Sequence, residues 1–332
     1  MDGPNPQHED LVRALSKRQL LVVVGPLVRE AAGLVGPRGL VDKGLEAGSF
    51  SAEARRDIGV LAGKGQYAAA LELIRARLGP SFSSMYEPLL AGERPTPPAS
   101  LRALALLAGS LPQVLTTNLD NLVELALPSR WAPLAEATAD LASRSEVVFK
   151  MLGDARHFTT WRFTQDGLKN ATYHAPHFKD AVSALLRAHQ LLFIGYRGDD
   201  ELLDELLRLR GHAPKDLNTP QWVALVPPGG LEKRGSYGER GLHLVVLDVP
   251  ADDPFAYDSA VAEYLTELAS TGPATEINMA ALPEPTLLGN PYPGLVPFSE
   301  AQAGQFFGRE DDIRTAVGKL GTGPSGHVRW LM

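Results

Sequence analysis

The fold is indicated first by residues 20–34, which read LLVVVGPLVREAAGL. An apolar run ends at Gly25 and is followed by a stretch rich in apolar and small residues. A short apolar run that a glycine closes is typical of a buried parallel strand. A glycine at a strand-to-helix turn lets backbone N–H groups approach a ligand, but any tight α/β turn also uses glycine. This turn therefore predicts a fold and leaves the function open.

The same alternation of apolar runs and helical periodicity continues along the chain. Strands are predicted at 20–24, 113–116, 147–150, 191–194, 222–226 and 242–247. Helices are predicted at 9–16, 51–62, 67–78, 101–108, 119–126, 178–188, 199–210 and 254–268. Repeated strand and helix imply right-handed crossovers, which predicts an α/β fold with a doubly wound, Rossmann-like, mostly parallel sheet flanked by helices. Ligands of such sheets bind beyond the carboxyl ends of the strands.

Composition narrows the class of protein. The 332 residues are enough for about two domains. The formal net charge of −7 argues against a nucleic-acid partner, which would need a basic stripe. The absence of cysteine excludes thiolate metal sites and disulfides. Because no signal peptide and no membrane-spanning run is found, we expect a cytoplasmic protein with no membrane partner.

Polar side chains cluster after the predicted second strand. Thr116, Thr117, Asn118 and Asp120 follow one another there. Polar groups at a strand end converge where a ligand binds. The same residue types also cap helices, and position alone does not separate the two interpretations. The acidic residues 199–201, which follow a later strand, are typical of a helix N-terminus.

Taken in order, these pieces resemble the sirtuin-like family, in its bacterial NAD-hydrolase branch. That family has strands ending in G-A-G-x-S, T-T-N-x-D, K-x-H-G and G-Y-S-x-x-D. The matching positions here are 25–29 with 32–34, then 116–120, 150–153 and 195–200. The resemblance covers roughly residues 15–270 and predicts a sirtuin-like domain at 1–270. Because the chain has no cysteine, it cannot contain the four-cysteine zinc module of deacylase sirtuins. We therefore expect neither zinc nor another metal.

The resemblance also implies a cofactor and site residues. NAD is the expected cofactor, and Asn118 and Asp120 would act at the glycosidic bond. The residues implied in nucleotide binding are Gly25, Arg29, Thr116, Thr117, Gly195, Tyr196 and Arg197.

Several positions depart from the family pattern. Leu152 stands where the family has its histidine, and His157 is the remaining candidate base. Pro26 has no N–H to donate, and Leu27 replaces a glycine. Arginine replaces serine at positions 29 and 197. The two side chains either bind phosphates or serve as surface ion-pair partners. The positions that build the fold match the family pattern, whereas the positions that contact the nucleotide or transfer protons do not. This is expected of a domain that is kept for its fold or for its contacts with other proteins.

The C-terminal part of the chain has a different composition. Residues 271–289 are predicted to be a proline-rich linker. The segments NPYPGLVPF at 290–298 and FFGRE at 306–310 resemble the entry segment of STAND NTPases. We therefore expect residues 290–332 to be the start of such a domain, truncated before the Walker A motif. This resemblance implies self-association through the STAND portion and a phage-derived or other protein trigger.

Three functions follow from these resemblances. The preferred one is an N-terminal effector or assembly module of a STAND-type prokaryotic anti-phage protein whose site is catalytically degenerate. The rival is an active NAD glycohydrolase that uses Asn118, Asp120 and His157. The third is sensing of NAD or ADP-ribose without turnover.

Overall fold

The structure is a computed structural model that describes residues 6–175, 177–197, 206–208, 222–229 and 234–271. These residues lie within one compact unit, Met1–Thr275. The predicted linker from residue 272 onward, the predicted STAND segment and most of the helix predicted at 199–210 lie outside the described residues. Within the described ranges, no helix is both long and apolar enough to cross a membrane.

A seven-stranded parallel sheet forms the centre of the unit, which confirms the predicted doubly wound α/β fold. Its strands are β1 (Leu20–Val24), β2 (Gln113–Thr116), β3 (Ala132–Leu134), β4 (Val147–Lys150), β5 (Gln190–Ile194), β6 (Trp222–Val226) and β7 (Leu242–Val246). They are ordered β3-β4-β2-β1-β5-β6-β7, and each pairing is parallel. The order reverses at β1, and a doubly wound sheet opens its ligand crevice at such a switch point.

Helices precede, connect and follow the strands. The bounds are α1 (Pro6–Ser16), α2 (Pro26–Ala31), α3 (Pro37–Ala47), α4 (Ala52–Gly63), α5 (Tyr67–Leu78), α6 (Ser81–Ala91), α7 (Ala99–Leu107), α8 (Leu122–Ala126), α9 (Gln165–Tyr173), α10 (Phe178–Ala188), α11 (Arg234–Glu239) and α12 (Pro254–Thr271). The alternate side chains of β1 enter two different cores. Leu20, Val22 and Val24 pack with α1, α7 and α12, whereas Leu21 and Val23 pack with α10 on the other face.

Helices α3–α6 form a helical module between α2 and α7, with a core of its own. Leu40, Ile58, Leu71 and Tyr86 belong to that core. It also takes in apolar side chains that follow β2 and β4, among them Leu119, Leu152, Ala155 and Phe163. The helical module therefore packs against the carboxyl ends of the strands, where a ligand of this fold would bind.

Some sequence-based predictions differ from the structure. The helix predicted at 119–126 begins at Leu122, because residues 119–121 form a turn in which the Asp120 carboxylate accepts the Leu122 N–H at 3.1 Å. The short edge strand β3 was not predicted, since it is largely exposed and contains Pro133. Among the helices not predicted, α2 has only 6 residues, and α6 contains Pro88. Both features hide the helical period.

Candidate functional site

The turns that follow β1 and β5 pack directly against each other. Gly195 has a φ of +81°, and a Cβ added to it would lie 2.6 Å from the carbonyl oxygen of Gly25. A Cβ on Gly25 would lie 2.6 Å from the carbonyl oxygen of Gly195. Only glycine fits at either position without separating the two turns. The turns that the family resemblance places at the nucleotide are therefore well formed.

The backbone donors of these turns are already used. Gly25 donates its N–H to the carbonyl of Ile194 at 2.8 Å, and Leu27 donates to the carbonyl of Gly195 at 2.9 Å. Pro26, between them, has no N–H. Val28 donates to Gly25 at 3.3 Å. The Leu27 and Val28 N–H groups at the start of α2 are therefore already bonded, whereas a diphosphate at a helix N-terminus binds to N–H groups that are free.

The polar residues after β2 bond mainly to neighbouring backbone and side chains. Asn118 donates its side-chain amide to the carbonyl of Gly25 at 3.0 Å, and its N–H goes to the Thr116 hydroxyl at 3.0 Å. The Thr117 and Tyr196 hydroxyl oxygens are 3.0 Å apart. All four side chains are buried. They tie β1, β2 and β5 together at the edge where the sequence predicts a ligand.

Arg29 is buried and lies between the sheet and the helical module. Only 3% of it is exposed. Its Nε lies 3.3 Å from Oδ2 of Asp120, in a buried ion pair. Its Nη2 donates to the carbonyl oxygens of Leu89 and Leu90 in the last turn of α6, at 3.1 and 3.3 Å. The sequence left two interpretations of Arg29, phosphate binding and a surface ion pair. In the structure Arg29 forms an ion pair, but this pair lies in the interior.

A second buried cation, Lys150, also contacts Asp120. Lys150, at the end of β4, donates its Nζ to the carbonyl of Asp120 at 2.8 Å. The same nitrogen lies 2.8 Å from Oε1 of Glu124 and 2.7 Å from Oδ2 of Asp154. Its side chain is 1% exposed. Three acceptors match the three N–H groups of an ammonium, so Lys150 joins the β2 turn, α8 and the β4 turn.

Burial and the two cations oppose each other at these carboxylates. Burial raises the pKa of Asp120, although Arg29 and Lys150 act to lower it. Burial likewise raises the pKa of Glu124 against the effect of Lys150. Burial alone would also raise the pKa of Asp154, but the hydrogen bonds from Lys150 and the Arg156 N–H outweigh it and hold that pKa below its usual value. Desolvation lowers the pKa of the Arg29 guanidinium, which remains a cation at neutral pH.

Leu152, at the position where the family has histidine, is 5% exposed and packs in the core of the helical module. It lines a cavity of about 70 Å³ between that module and the strand ends. The other lining residues are Pro26, Arg29, Pro37, Leu40, Tyr67, Ala68, Leu71, Thr117, Asn118, Leu119 and Phe163. No imidazole is among them, and most of the wall is apolar.

His157 and Arg197 point to other partners. The His157 side chain is 72% exposed, with its Nδ1 3.5 Å from Oδ1 of Asp154. It does not line the cavity. Arg197 lies 3.2 Å from Oε2 of Glu30 and donates to the carbonyl of Ala251 at 3.3 Å. The two arginines thus pair with different carboxylates, and the structure does not join them at one anion site.

Two features of this site were not predicted from the sequence. One is the Lys150 network, for which a lysine that closes the apolar run VVFK was the available signal. The other is Tyr257 of α12, whose hydroxyl accepts the N–H of Gly195 at 2.7 Å and donates to the carbonyl of Leu225 at 2.7 Å. No local pattern marks a tyrosine that reaches the turn of a distant strand.

Comparisons with known proteins agree with part of the resemblance. Residues 112–243 match the model of the SIR2-like domain family, so the chain contains a SIR2-like region. No curated protein sequence matches the chain.

Solved structures with a similar course of the chain include a Sir2 enzyme at 13% identity and a TM-score of 0.39, covering 80% of this chain and 100% of that one. A Sir2 homologue in complex with NAD matches at 13% identity and a TM-score of 0.36, over 79% and 94% of the two chains. A mutant Sir2 homologue in complex with ADP ribose matches at 14% identity and a TM-score of 0.36, over 79% of this chain and 96% of that one.

The cavity does not fit the cofactor that the resemblance implies. Pockets for molecules of drug or cofactor size span about 300–1,000 Å³. The cavity here is about 70 Å³. The Asn118 side-chain N–H group donates to a carbonyl, the Arg29 guanidinium contacts two carbonyls and Asp120, and the Leu27 and Val28 N–H groups are bonded to carbonyls. As far as the described residues form it, this cavity is too small for a dinucleotide. Among the described residues, no cluster of histidine and carboxylate side chains has the arrangement of a metal site.

Proposed function

We propose that the SIR2-like domain of this chain is catalytically degenerate and serves as an assembly or protein-contact module at the N-terminus of a STAND-type prokaryotic immune protein. The proposed loss of catalysis rests on Leu152. Its side chain is buried in the core of the helical module, at the position where the family has its histidine. Leucine neither accepts nor donates a proton, and a general base must lie within hydrogen-bond reach of the proton that it takes.

The groups around Leu152 support the loss of chemistry. Asn118 is the residue that the resemblance assigns to the attacking water or the ribose, and its amide is bonded to Gly25. Asp120 is paired with Arg29. His157, the candidate replacement base, is exposed and paired with Asp154. The Asn118 side-chain N–H group, the Asp120 carboxylate and the His157 ring therefore each have another partner, whereas a water that attacks a glycosidic bond needs groups that position it.

The immune context rests on the sequence of residues 290–310, which resemble the entry segment of STAND NTPases. In that family the NTPase part assembles after it senses a target. An N-terminal domain with a complete core and no working base fits a role in that assembly. Self-association through the STAND portion, a protein trigger and a cytoplasmic location belong to this proposal.

The experiment that tests catalytic loss is nicotinamide release from NAD, measured with the full chain at millimolar NAD. We expect no release above that of the Asn118→Ala variant. Release that depends on Asn118 would overturn the proposal and favour the rival NAD glycohydrolase. Because the proposal puts self-association in the STAND portion, sedimentation is measured on a protein that carries that portion in full, and a monomer at all concentrations would contradict the assembly role.

A second candidate, sensing of NAD or ADP-ribose without turnover, is favoured by the intact contact of Gly25 with Gly195. It predicts that NAD or ADP-ribose raises the melting temperature of the chain without nicotinamide release, because a ligand stabilises the state that it binds. The rival glycohydrolase predicts both the rise and the release, and its Arg29 contact predicts that Arg29→Ala loses the rise.

A further inference from the structure

The cavity lies between two parts of the domain, the helical module and the strand ends, and the chain passes between them at the end of α2 and at the end of α6. Pro37, Leu40 and Leu71 line it from the helical module, whereas Thr117, Asn118 and Leu152 line it from the strand ends. The glycine turns beside it are built for close approach, yet the cavity is about 70 Å³. This contrast raises the question of what holds the helical module against the sheet.

The chain passes between the sheet and the helical module at two glycines. It leaves α2 through Gly33, which has a φ of +77°, and it leaves α6 through Gly92, which has a φ of +70°. A Cβ on Gly92 would lie 2.5 Å from a methyl carbon of Leu34, so the two passages touch. Hinges consist of a few loop or element-terminal residues that absorb changes of φ and ψ, and these two adjacent crossings, each at a glycine that follows a helix, are positions of that kind.

Arg29 spans this hinge. It lies in the last turn of α2, and its backbone carbonyl accepts the N–H of Leu34 at 3.0 Å. Its side chain donates to Leu89 and Leu90, whose carbonyls belong to the last turn of α6, just before Gly92. Carbonyls of a last helical turn lack an intrahelical partner, and a cation there also interacts favourably with the helix dipole.

The same guanidinium is anchored to the sheet. Its Nε lies 3.3 Å from the carboxylate of Asp120, whose side chain is fully buried. One arginine therefore joins the β2 turn to the end of α6. The planar fork of arginine carries its N–H groups on three separate nitrogens in fixed directions, so one side chain reaches both Asp120 and the α6 carbonyls, whereas the three N–H groups of an ammonium leave a single nitrogen.

We propose that helices α3–α6 form a lid that turns about Gly33 and Gly92, and that Arg29 is the latch that holds the lid closed against the strand ends. The latch explains why the glycine turns are intact while the cavity between lid and strands is small. It also gives Arg29 a role other than binding phosphate, because its charge is paired with Asp120 in the closed state. The proposal concerns the movement of the domain and goes beyond the proposed function, since it holds whether or not NAD is bound or cleaved.

The experiment measures the position of the lid with a pair of spin labels. The chain has no cysteine, so Val60→Cys on α4 and Leu125→Cys on α8 give two unique labelling sites. These side chains are 50% and 52% exposed. Pulsed electron spin resonance on the full labelled chain, without ligand, should give one narrow distance distribution.

The test variant is Arg29→Lys, which keeps a cation beside Asp120 but cannot also reach both α6 carbonyls. Because hydrogen bonds from a charged group are among the stronger ones, we expect the open population, at a second distance, to rise about tenfold or more. Arg162→Lys is the matched control. Arg162 also donates to a carbonyl, that of Ala135 at 2.7 Å, but it does not bridge to the α6 carbonyls, so its distribution should stay that of the parent.

A folded Arg29→Lys chain with one unchanged distance would overturn the latch. If this variant does not fold, Arg29→Met combined with Asp120→Asn takes its place. That double variant removes both members of the Arg29–Asp120 ion pair together, so neither charge is left without the other, and the asparagine oxygen still accepts the Leu122 N–H. The same second population supports the proposal there, and its absence overturns it. Neither result depends on nicotinamide release, so failure of the lid and failure of the proposed function are separate outcomes.

Discussion

The hydroxyl of Tyr257 accepts the N–H of Gly195 at 2.7 Å. Tyr257 lies in α12, the last helix of the described residues, whereas Gly195 forms the turn after β5. The same hydroxyl donates to the carbonyl of Leu225 in β6 at 2.7 Å. The next residue, Asp258, accepts the N–H groups of Ala99 and Ser100 at the start of α7, at 2.8 and 3.2 Å. Helix α12 thus fixes both the candidate site and a neighbouring helix.

Replacing Tyr257 with phenylalanine should destabilise the domain. The change leaves the Gly195 N–H and the Leu225 carbonyl without this partner in the interior, at a cost of about 1–3 kcal/mol. Urea denaturation measures the free energy of unfolding. Tyr264→Phe in the same helix is the matched control, because the buried Tyr264 hydroxyl has no hydrogen-bond partner among the described residues. Equal losses in the two variants would contradict the role given to the Tyr257 hydroxyl.

Alanine substitution should have opposite effects at two glycines. Gly195→Ala places a Cβ 2.6 Å from the Gly25 carbonyl at a φ of +81°, and we expect a loss of about 1–3 kcal/mol or more. Gly59, inside α4, has nothing within 4 Å of an added Cβ, so Gly59→Ala should gain about 0.5–1 kcal/mol. Thermal denaturation of both variants tests the pair. A neutral Gly195→Ala would mean that the two turns can separate freely.

The sheet could be predicted because its strands are dense apolar runs. Each residue of β1, for example, is buried, so the sequence LLVVV contains the signal by itself. The doubly wound order follows from the alternation of strand and helix. The short edge strand β3 carries no such signal, since Ala132 and Pro133 are exposed. Burial on both faces is thus what makes a strand visible in one sequence.

The candidate site was only partly predictable. The sequence placed Asn118, Asp120 and Gly195 at strand ends, where the structure has them. The sequence left two interpretations of Arg29, because the side chain bonds to the backbone carbonyls of Leu89 and Leu90, which are 60 and 61 residues away along the chain. Any residue type supplies a carbonyl, so no motif can encode that contact. The lack of a proton-transferring side chain at position 152, by contrast, could be predicted from the sequence, because it depends only on the residue being leucine.

Removing the cation at the centre of the Lys150 network should be costly. Lys150→Met leaves Glu124 and Asp154 without their shared partner, and the loss of one member of a buried ion pair costs about 3–5 kcal/mol. Chemical denaturation gives the value. Lys43→Met removes an exposed lysine paired with Glu46, and we expect no measurable change there. A small effect at Lys150 would show that water reaches the two carboxylates.

The contribution of Asp154 to stability should depend on pH. Its pKa is lower in the folded protein than in the unfolded chain, where a free aspartate titrates at about 3.9. The folded state therefore releases the proton more readily, and the stability that this carboxylate supplies is present above pH of about 4 and is lost as the pH falls through the folded pKa. Asp154→Asn removes the charge that Lys150 contacts but keeps an oxygen for the Arg156 N–H.

We therefore expect Asp154→Asn to cost clearly less at pH 3 than at pH 6, by about half or more, in urea denaturation at the two values. Ser51→Ala provides the comparison. The Ser51 hydroxyl caps α4 by accepting the Ala54 N–H, does not titrate, and should cost about 1 kcal/mol at both values. If the cost of Asp154→Asn were equal at pH 3 and pH 6, the carboxylate would gain nothing from Lys150, and the network would act through packing alone.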